Sequence, residues 1–407
     1  MVSVHECFEA YERRFARVMA EIPDRRPWIE KDKQEIIEKV KYHYGVKDEW
    51  IPEIETETVR TTDHNGFSLN FLKSRSWDGV TGAAFLYVPD AKGSDALPLT
   101  VLCCGHGSNG KLTPCYQEMA RHLVRRGTIV LALDNLGQGE RVPMGHREVV
   151  APFVCGTSLQ GMISMETLAW IEWAKKQERV DESRLAAIGN SGGGHLTITL
   201  AALSPDLAVI SSSGRPSTSE FTARKERKLC HYSLIPGVIG QIECWHMLGC
   251  FAPRPLYIFQ GYNDPMFPFD LFRNVARKVK TVYKNLQAEQ NFEAELMPGD
   301  HSWDTNRVGL VGDFLSQRLD LPVKELEVAD ESDDYIAQDF GCLDVWPEDA
   351  LDTDELARQM TGVEFKPGTQ YWDMFPPDPW PDIEKDDPDR EEILETFARF
   401  EGFLKRD

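Results

Sequence analysis

The stretch RLAAIGNSGGGHLTITLAAL, residues 184–203, places one serine among four glycines and an asparagine, between two apolar runs. Leu185, Ala186, Ala187 and Ile188 read as a short buried strand. Leu196, Ile198, Leu200, Ala201 and Leu203 read as a helix. A turn this tight is no spacer; it displays the side chain at its apex. Gly189-Asn190-Ser191-Gly192-Gly193 satisfies G-x-S-x-G in the strand–turn–helix setting that gives the pattern a mechanism. Neighbours without side chains relieve crowding around Ser191, and the amides opening the helix can stabilise negative charge.

The segments around this turn alternate. LTVLCCG and TIVLALD read as strands on either side of a helix, TPCYQEMARHLVRRG, with Thr113 as N-cap, Pro114 in the first turn and Gly127 at the stop. A long helix over 158–178 sets Met162, Met165, Ala169 and Trp173 on one face, and LAVISSS, PLYIFQG and NFEAELMPG supply later strands. Helices over 269–286 and 304–319 complete the series. Upstream, ETETVRTTD, FSLNFLKSRS and AAFLYVP read as antiparallel strands, preceded by amphipathic helices over 4–20 and 31–43. The pattern predicts an α/β protein with a doubly wound, mostly parallel sheet and antiparallel N-terminal strands.

A serine nucleophile needs a base, and the base needs an orienting acid. Asp264 follows the strand ending at Gly261, and His301 lies in the loop before the last helix, giving the order Ser, Asp, His. Asp300 is a rival orienting acid whose backbone adjacency to the imidazole disfavours it. Acyl transfer also needs amide donors for the oxyanion. Gly192, directly after the nucleophile, supplies one; Gly107 and Ser108, in the CCGHGSNGK loop with His106 shaping it, are candidates for the second. The same loop carries G-x-x-x-x-G-K, but residue 112 is leucine where a phosphate-binding loop needs a magnesium-ligating hydroxyl. Asp134, Glu140 and Arg141 read as structural ion-pairing residues, with substrate contact as the lesser alternative. His195 reads as a packing or capping residue, and Trp245, His246 and Met247 as core, with lining of an acyl or alcohol pocket as the lesser alternative. No metal set shows in the sequence, and serine acyl transfer requires no cofactor.

The chain resembles α/β-hydrolases of the acetyl xylan esterase and dienelactone hydrolase-related kind. The likeness rests on CCGHGSNGK, LALDNLGQGER, GTSLQGM, RVDESRLAAIGNSGGG, IPGVIG, FAPRPLYIFQGYNDPMFP and PGDHSW, across about residues 80–320. It implies the triad Ser191, Asp264 and His301 and an ester substrate, with a small acyl group on a carbohydrate or polyol as the expected kind. Asn135 and Leu136 depart from the basic or small residues often found before Gly137. A peptide, thioester or carbon–carbon bond is the alternative target of the same triad, and a non-catalytic small-molecule binder is the other alternative.

Charge and composition limit the partners. Of the net charge of −21, −19 falls after residue 324, and the first 324 residues sum to −2. Nucleic acid, which needs a basic face, is excluded on that ground. No run reaches the roughly 20 apolar residues of a membrane span, and the first residues lack secretory-signal character. The nine cysteines, an odd number with no C-x-x-C pair, fit reduced thiols in the cytoplasm. The expected organisation is an N-terminal helical extension (1–50), a catalytic domain (51–322) and an acidic, aromatic-containing C-terminal extension (323–407). That extension, with Trp346, Trp372, Phe375, Trp380 and a closing amphipathic helix, is expected to pack on the body or to join a second copy in a homo-oligomer.

Overall fold

The computed structural model describes residues 30–90, 95–106, 109–146, 149, 151–219, 221–222, 230–326, 341–343 and 345–363. The expected helix over 4–20, Gly107, Ser108, Trp372, Phe375, Trp380 and the closing helix lie outside the described residues.

Nine strands form a single sheet. They are β1 (Glu55–His64), β2 (Phe67–Arg75), β3 (Thr81–Pro89), β4 (Leu97–Cys103), β5 (Ile129–Leu133), β6 (Val180–Asn190), β7 (Leu207–Ser213), β8 (Leu256–Gly261) and β9 (Phe292–Met297). Their spatial order is β1-β2-β3-β5-β4-β6-β7-β8-β9. β1, β2 and β3 pair antiparallel, β3 meets β5 antiparallel, and from β5 onward every pairing is parallel. The antiparallel start and parallel body match the expectation from periodicity. β6 runs two residues beyond Ile188 because Gly189 and Asn190 still pair with β7.

The helices are α1 (Glu30–Tyr44), α2 (Pro114–Arg125), α3 (Ala151–Val154), α4 (Leu159–Lys175), α5 (Gly192–Leu203), α6 (Cys244–Phe251), α7 (Phe269–Asn285), α8 (Thr305–Arg318) and α9 (Thr353–Thr361). They cover both faces of the sheet. One core joins residues of α1, α4, α5, α6 and α7 to the sheet; the other joins those of α2 and α8. α4 is buried nearly all round rather than along the one expected face: Trp170 and Ile171 are buried, whereas Trp173 is only partly so. Its N-cap is Ser158, whose hydroxyl accepts from the Gly161 amide at 3.0 Å and donates to the Tyr44 carbonyl at 2.8 Å. α1 is thereby stitched into the body, with Ile36, Val40 and Tyr44 in its core.

The described part of the C-terminal extension folds back onto the body. Leu351 N donates to the Gly79 carbonyl (3.0 Å) and Thr353 Oγ1 to the Gly145 carbonyl (2.8 Å). Asp354 Oδ1 accepts from the Ala151 amide that opens α3 (3.1 Å). α9 starts in a capping box between Asp352 and Glu355 and ends at Gly362 in the left-handed region. Among the described residues no helix is long and apolar enough to cross a membrane.

Strand order positions the site. The chain adds β5 on one side of β4 and then crosses back to add β6 on the other. Loops leaving the carboxyl ends of β4 and β6 therefore diverge to opposite faces and leave a crevice between them, where ligands of open α/β sheets bind.

Candidate active site

Ser191 stands between β6 and α5 at φ 59° and ψ −118°, outside the regions open to ordinary residues. Its amide donates to the Ser213 carbonyl, and its own carbonyl accepts from His195 N, both at 3.0 Å. The surrounding glycines exist for close approach. A Cβ on Gly193 would sit 1.8 Å from the Cys103 carbonyl oxygen, and one on Gly189 would sit 2.3 Å from that of Gly193. Gly105, at the end of β4, lies so near that its missing Cβ would come 3.2 Å from Cβ of Ser191. The strained turn is held by contacts that only bare backbone permits.

Asp264 and His301 meet. His301 Nδ1 donates to Asp264 Oδ2 at 2.8 Å, while Asp264 Oδ1 accepts from the amides of Met266 (2.7 Å) and Phe267 (3.0 Å). The Asp264 side chain is 1% exposed and that of His301 19%. A carboxylate can only accept here, so Nδ1 carries the proton and Nε2 presents a lone pair. Nε2 has no hydrogen-bond partner among the described residues. Asp300, the rival acid, has a 69% exposed side chain and accepts from the Ser302 amide at 2.9 Å.

Two features that sequence reasoning did not single out tie this histidine to the serine turn. Asn190 Nδ2, one residue before Ser191, donates to the His301 carbonyl at 3.0 Å. Gly214 packs against the ring: a Cβ there would lie 3.1 Å from Cε1 of His301 and 2.5 Å from Oδ1 of Asn190. Behind them, Trp303 Nε1 donates to Ser213 Oγ (2.7 Å), which donates to Asn190 Oδ1 (2.8 Å). The local signal was the asparagine inside the motif, which a solvent-facing turn would not need.

Gly192 opens α5 as expected, and Gly107 and Ser108 lie outside the described residues. His106 does shape this corner: Gly192 has room for no Cβ, because one would sit 2.7 Å from Nδ1 of His106. Tyr232 Oη donates to the Gly192 carbonyl at 2.7 Å, and Tyr116 Oη accepts from the Gly105 amide at 2.6 Å.

Lys111, the lysine of the phosphate-loop look-alike, is fully buried between Asp134 Oδ2 (2.6 Å) and Glu140 Oε1 (2.5 Å). Burial alone would lower its pKa, but the two carboxylates outweigh that and raise it. Burial likewise opposes the Glu140 charge. Lys111, with the amides of Cys342 and Leu343, nevertheless holds that carboxyl below its usual range. Arg141 is paired with Glu166 (2.7 and 3.0 Å). Asp134, Glu140 and Arg141 are thus all engaged in ion pairs. His195 lies between Tyr44 Oη (3.0 Å) and Arg215 (3.2 Å), and burial plus the Arg215 charge hold its pKa well below the ordinary value. His246 closes a capping box with Glu243, and Trp245 and Met247 are buried.

Residues 52–224 match the acetyl xylan esterase family (AXE1). The chain has the fold of the α/β-hydrolases and is similar over those residues to the acetyl xylan esterases. The chain is 22% identical over 270 residues to YtaP of Bacillus subtilis (strain 168), described as a hydrolase, covering 66% of this chain and 85% of that one. Its fold is similar to that of the methylesterase BT1017 (TM-score 0.54, 18% identity, 79% of this chain and 67% of the other). A glucuronoyl esterase from Solibacter usitatus shares the fold at TM-score 0.56 and 13% identity, over 70% of this chain and 92% of that chain.

Proposed function

We propose that the protein is a serine esterase that cleaves a small acyl ester on a carbohydrate or related polyol through an acyl-enzyme intermediate. The observation that carries this reading is the imidazole of His301. It is held through Nδ1 by buried Asp264, tethered through its carbonyl to Asn190 beside Ser191, and left with an uncommitted Nε2. In this role Nε2 takes the Ser191 proton as Oγ attacks the ester carbonyl. The Gly192 amide, with those of Gly107 and Ser108, holds the oxyanion. His301 returns the proton to the leaving alcohol. It then deprotonates a water that releases the acid and frees Ser191. Apo hydrolases often lack the nucleophile–base bond that forms with substrate, consistent with the unpartnered Nε2.

The acyl and alcohol classes rest on the match to the acetyl xylan esterase family and on a carbohydrate-esterase name among proteins of this fold. A cytoplasmic setting is supported by the described cysteines, which form no disulfide. A fluorophosphonate probe should label Ser191, and p-nitrophenyl acetate should turn over. Ser191→Ala should remove labelling and lower turnover by about 10⁵–10⁶-fold. An unlabelled but correctly folded wild-type protein would mean a binding module. Faster turnover of thioesters or peptides than of acetyl esters would reassign the bond.

A further inference from the structure

Outside the Ser191–His301–Asp264 set, the fold gathers His106, His146 and Cys230 so that one ligand atom from each lies within 4.8 Å of the others. They come from the end of β4, from just beyond the helical turn Gly139–Met144, and from just before the turn His231–Ser233. No sequence window contains them together, so the cluster was invisible to spacing rules for metal ligands.

Its chemistry is specific. His146 Nδ1 faces the Leu136 carbonyl at 2.8 Å, which places the proton on Nδ1 and the lone pair on Nε2. Metal-binding histidines are oriented in this manner by a partner on the second nitrogen. The Gln138 amide nitrogen lies 3.4 Å from that Nε2, a long contact, and the Gln138 oxygen is engaged by Asn135 Nδ2 at 3.2 Å. Tyr232 stacks on His146 (centroids 5.2 Å, 26°) and meets His106 edge-on (4.9 Å), so an aromatic wall bounds the cluster. His146 and Cys230 are buried, whereas His106 is exposed and offers the approach from solvent.

We propose that His106, His146 and Cys230 form a binding site for a thiophilic divalent cation of the zinc class. Two imidazoles and a thiolate suit zinc or cobalt and disfavour magnesium and calcium, which demand oxygen donors. Three protein ligands leave a fourth position open. Bonds of about 2.0–2.3 Å bring tetrahedral ligand atoms to about 3.5 Å apart, so the three side chains must close on the ion by up to about 1 Å. Loading breaks the Cys230 S–H bond, sends its proton to solvent and forms the sulfur–metal bond; no electron changes hands. Because the His106 ring fills the space beside Gly192, the ion also fixes the loop that leads to residues 107 and 108.

The test uses the full chain, reduced and stripped of metal, titrated with Co²⁺. Expected are tetrahedral d–d absorption and a thiolate-to-cobalt charge-transfer band, saturating at one ion per chain. Cys230→Ser should abolish the charge-transfer band, and His106→Ala should weaken Co²⁺ binding by roughly tenfold or more. His106 is exposed, so that variant remains informative if Cys230→Ser fails to fold. Absence of the band in the wild type, its survival in folded Cys230→Ser, or unchanged affinity in His106→Ala would each overturn the proposal. None of these readouts depends on ester turnover, so the esterase reading stands or falls separately.

Discussion

Two polar clusters sit at carboxyl ends of strands in this sheet, each built around a buried aspartate. At one, Lys111, Asp134 and Glu140 assemble by β4 and β5; at the other, Asp264 and His301 meet by β8 and β9, tied through Asn190 to the Ser191 turn after β6. The first is saturated. Lys111 Nζ meets two carboxylates, and Asp134 Oδ1 takes the Lys111 amide (2.8 Å). Asp134 Oδ2 takes the Glu140 amide (3.1 Å), and Glu140 Oε2 takes the amides of Cys342 (2.7 Å) and Leu343 (2.8 Å). The second is incomplete: Asp264 is saturated, but Nε2 of His301 has no partner among the described residues, and Ser191 stands in costly backbone. Buried charge that is fully satisfied holds a fold together, whereas capacity left over at a strained position is available for chemistry.

The contrast is sharpest in the two acids. Asp264→Asn keeps the volume but favours the wrong imidazole tautomer, and should lower ester turnover by about 10⁴-fold. Unfolding by denaturant should show a much smaller change. Equal losses of stability and activity would erase the distinction drawn between the clusters.

Lys111→Met should do the reverse. It leaves Asp134, with no exposed side-chain surface, as an uncompensated buried charge, and should destabilise the protein by about 3–5 kcal/mol. Turnover per folded molecule should fall far less than in Asp264→Asn. A stable but inactive Lys111→Met protein would move this lysine into the catalytic machinery.

A smaller effect comes from His122 on α2. It accepts from Nε of Arg126 at 2.9 Å, and burial together with that guanidinium brings its pKa down to about 4. The unfolded chain protonates the same imidazole near pH 6.5. Between about pH 6.5 and 4 the unfolded state therefore binds more protons, and stability falls as pH falls. The contribution lost by pH 5 should be about 2 kcal/mol, and His122→Gln should flatten the decline of Tm from pH 7 to pH 5. An unchanged slope would exclude His122 as its source.

What the sequence disclosed divides along the same line. The serine turn was readable because its strand, bend and helix are contiguous and the bend tolerates few residues. Asp264 and His301 were readable because strand ends can be counted. The braces were not. Asn190, Ser213, Gly214 and Trp303 work by meeting across 23 to 111 positions, and each alone is an ordinary loop or strand residue. The gathering of His106, His146 and Cys230 was hidden for the same reason. Lys111 could be freed of its phosphate-loop disguise from Leu112 alone, but its partners Asp134 and Glu140 became definite only in three dimensions.

Glu140 reaches across 202 positions to the amide of Cys342. During synthesis strands β1 to β9 are all made before that amide exists, so the carboxylate spends the interval hydrated or ill-matched. The body can therefore acquire its shape early but its full resistance to unfolding only near the end of translation. A protease cut between residues 326 and 341 would leave the same debt, with the fragment held by contacts alone and no longer by the chain.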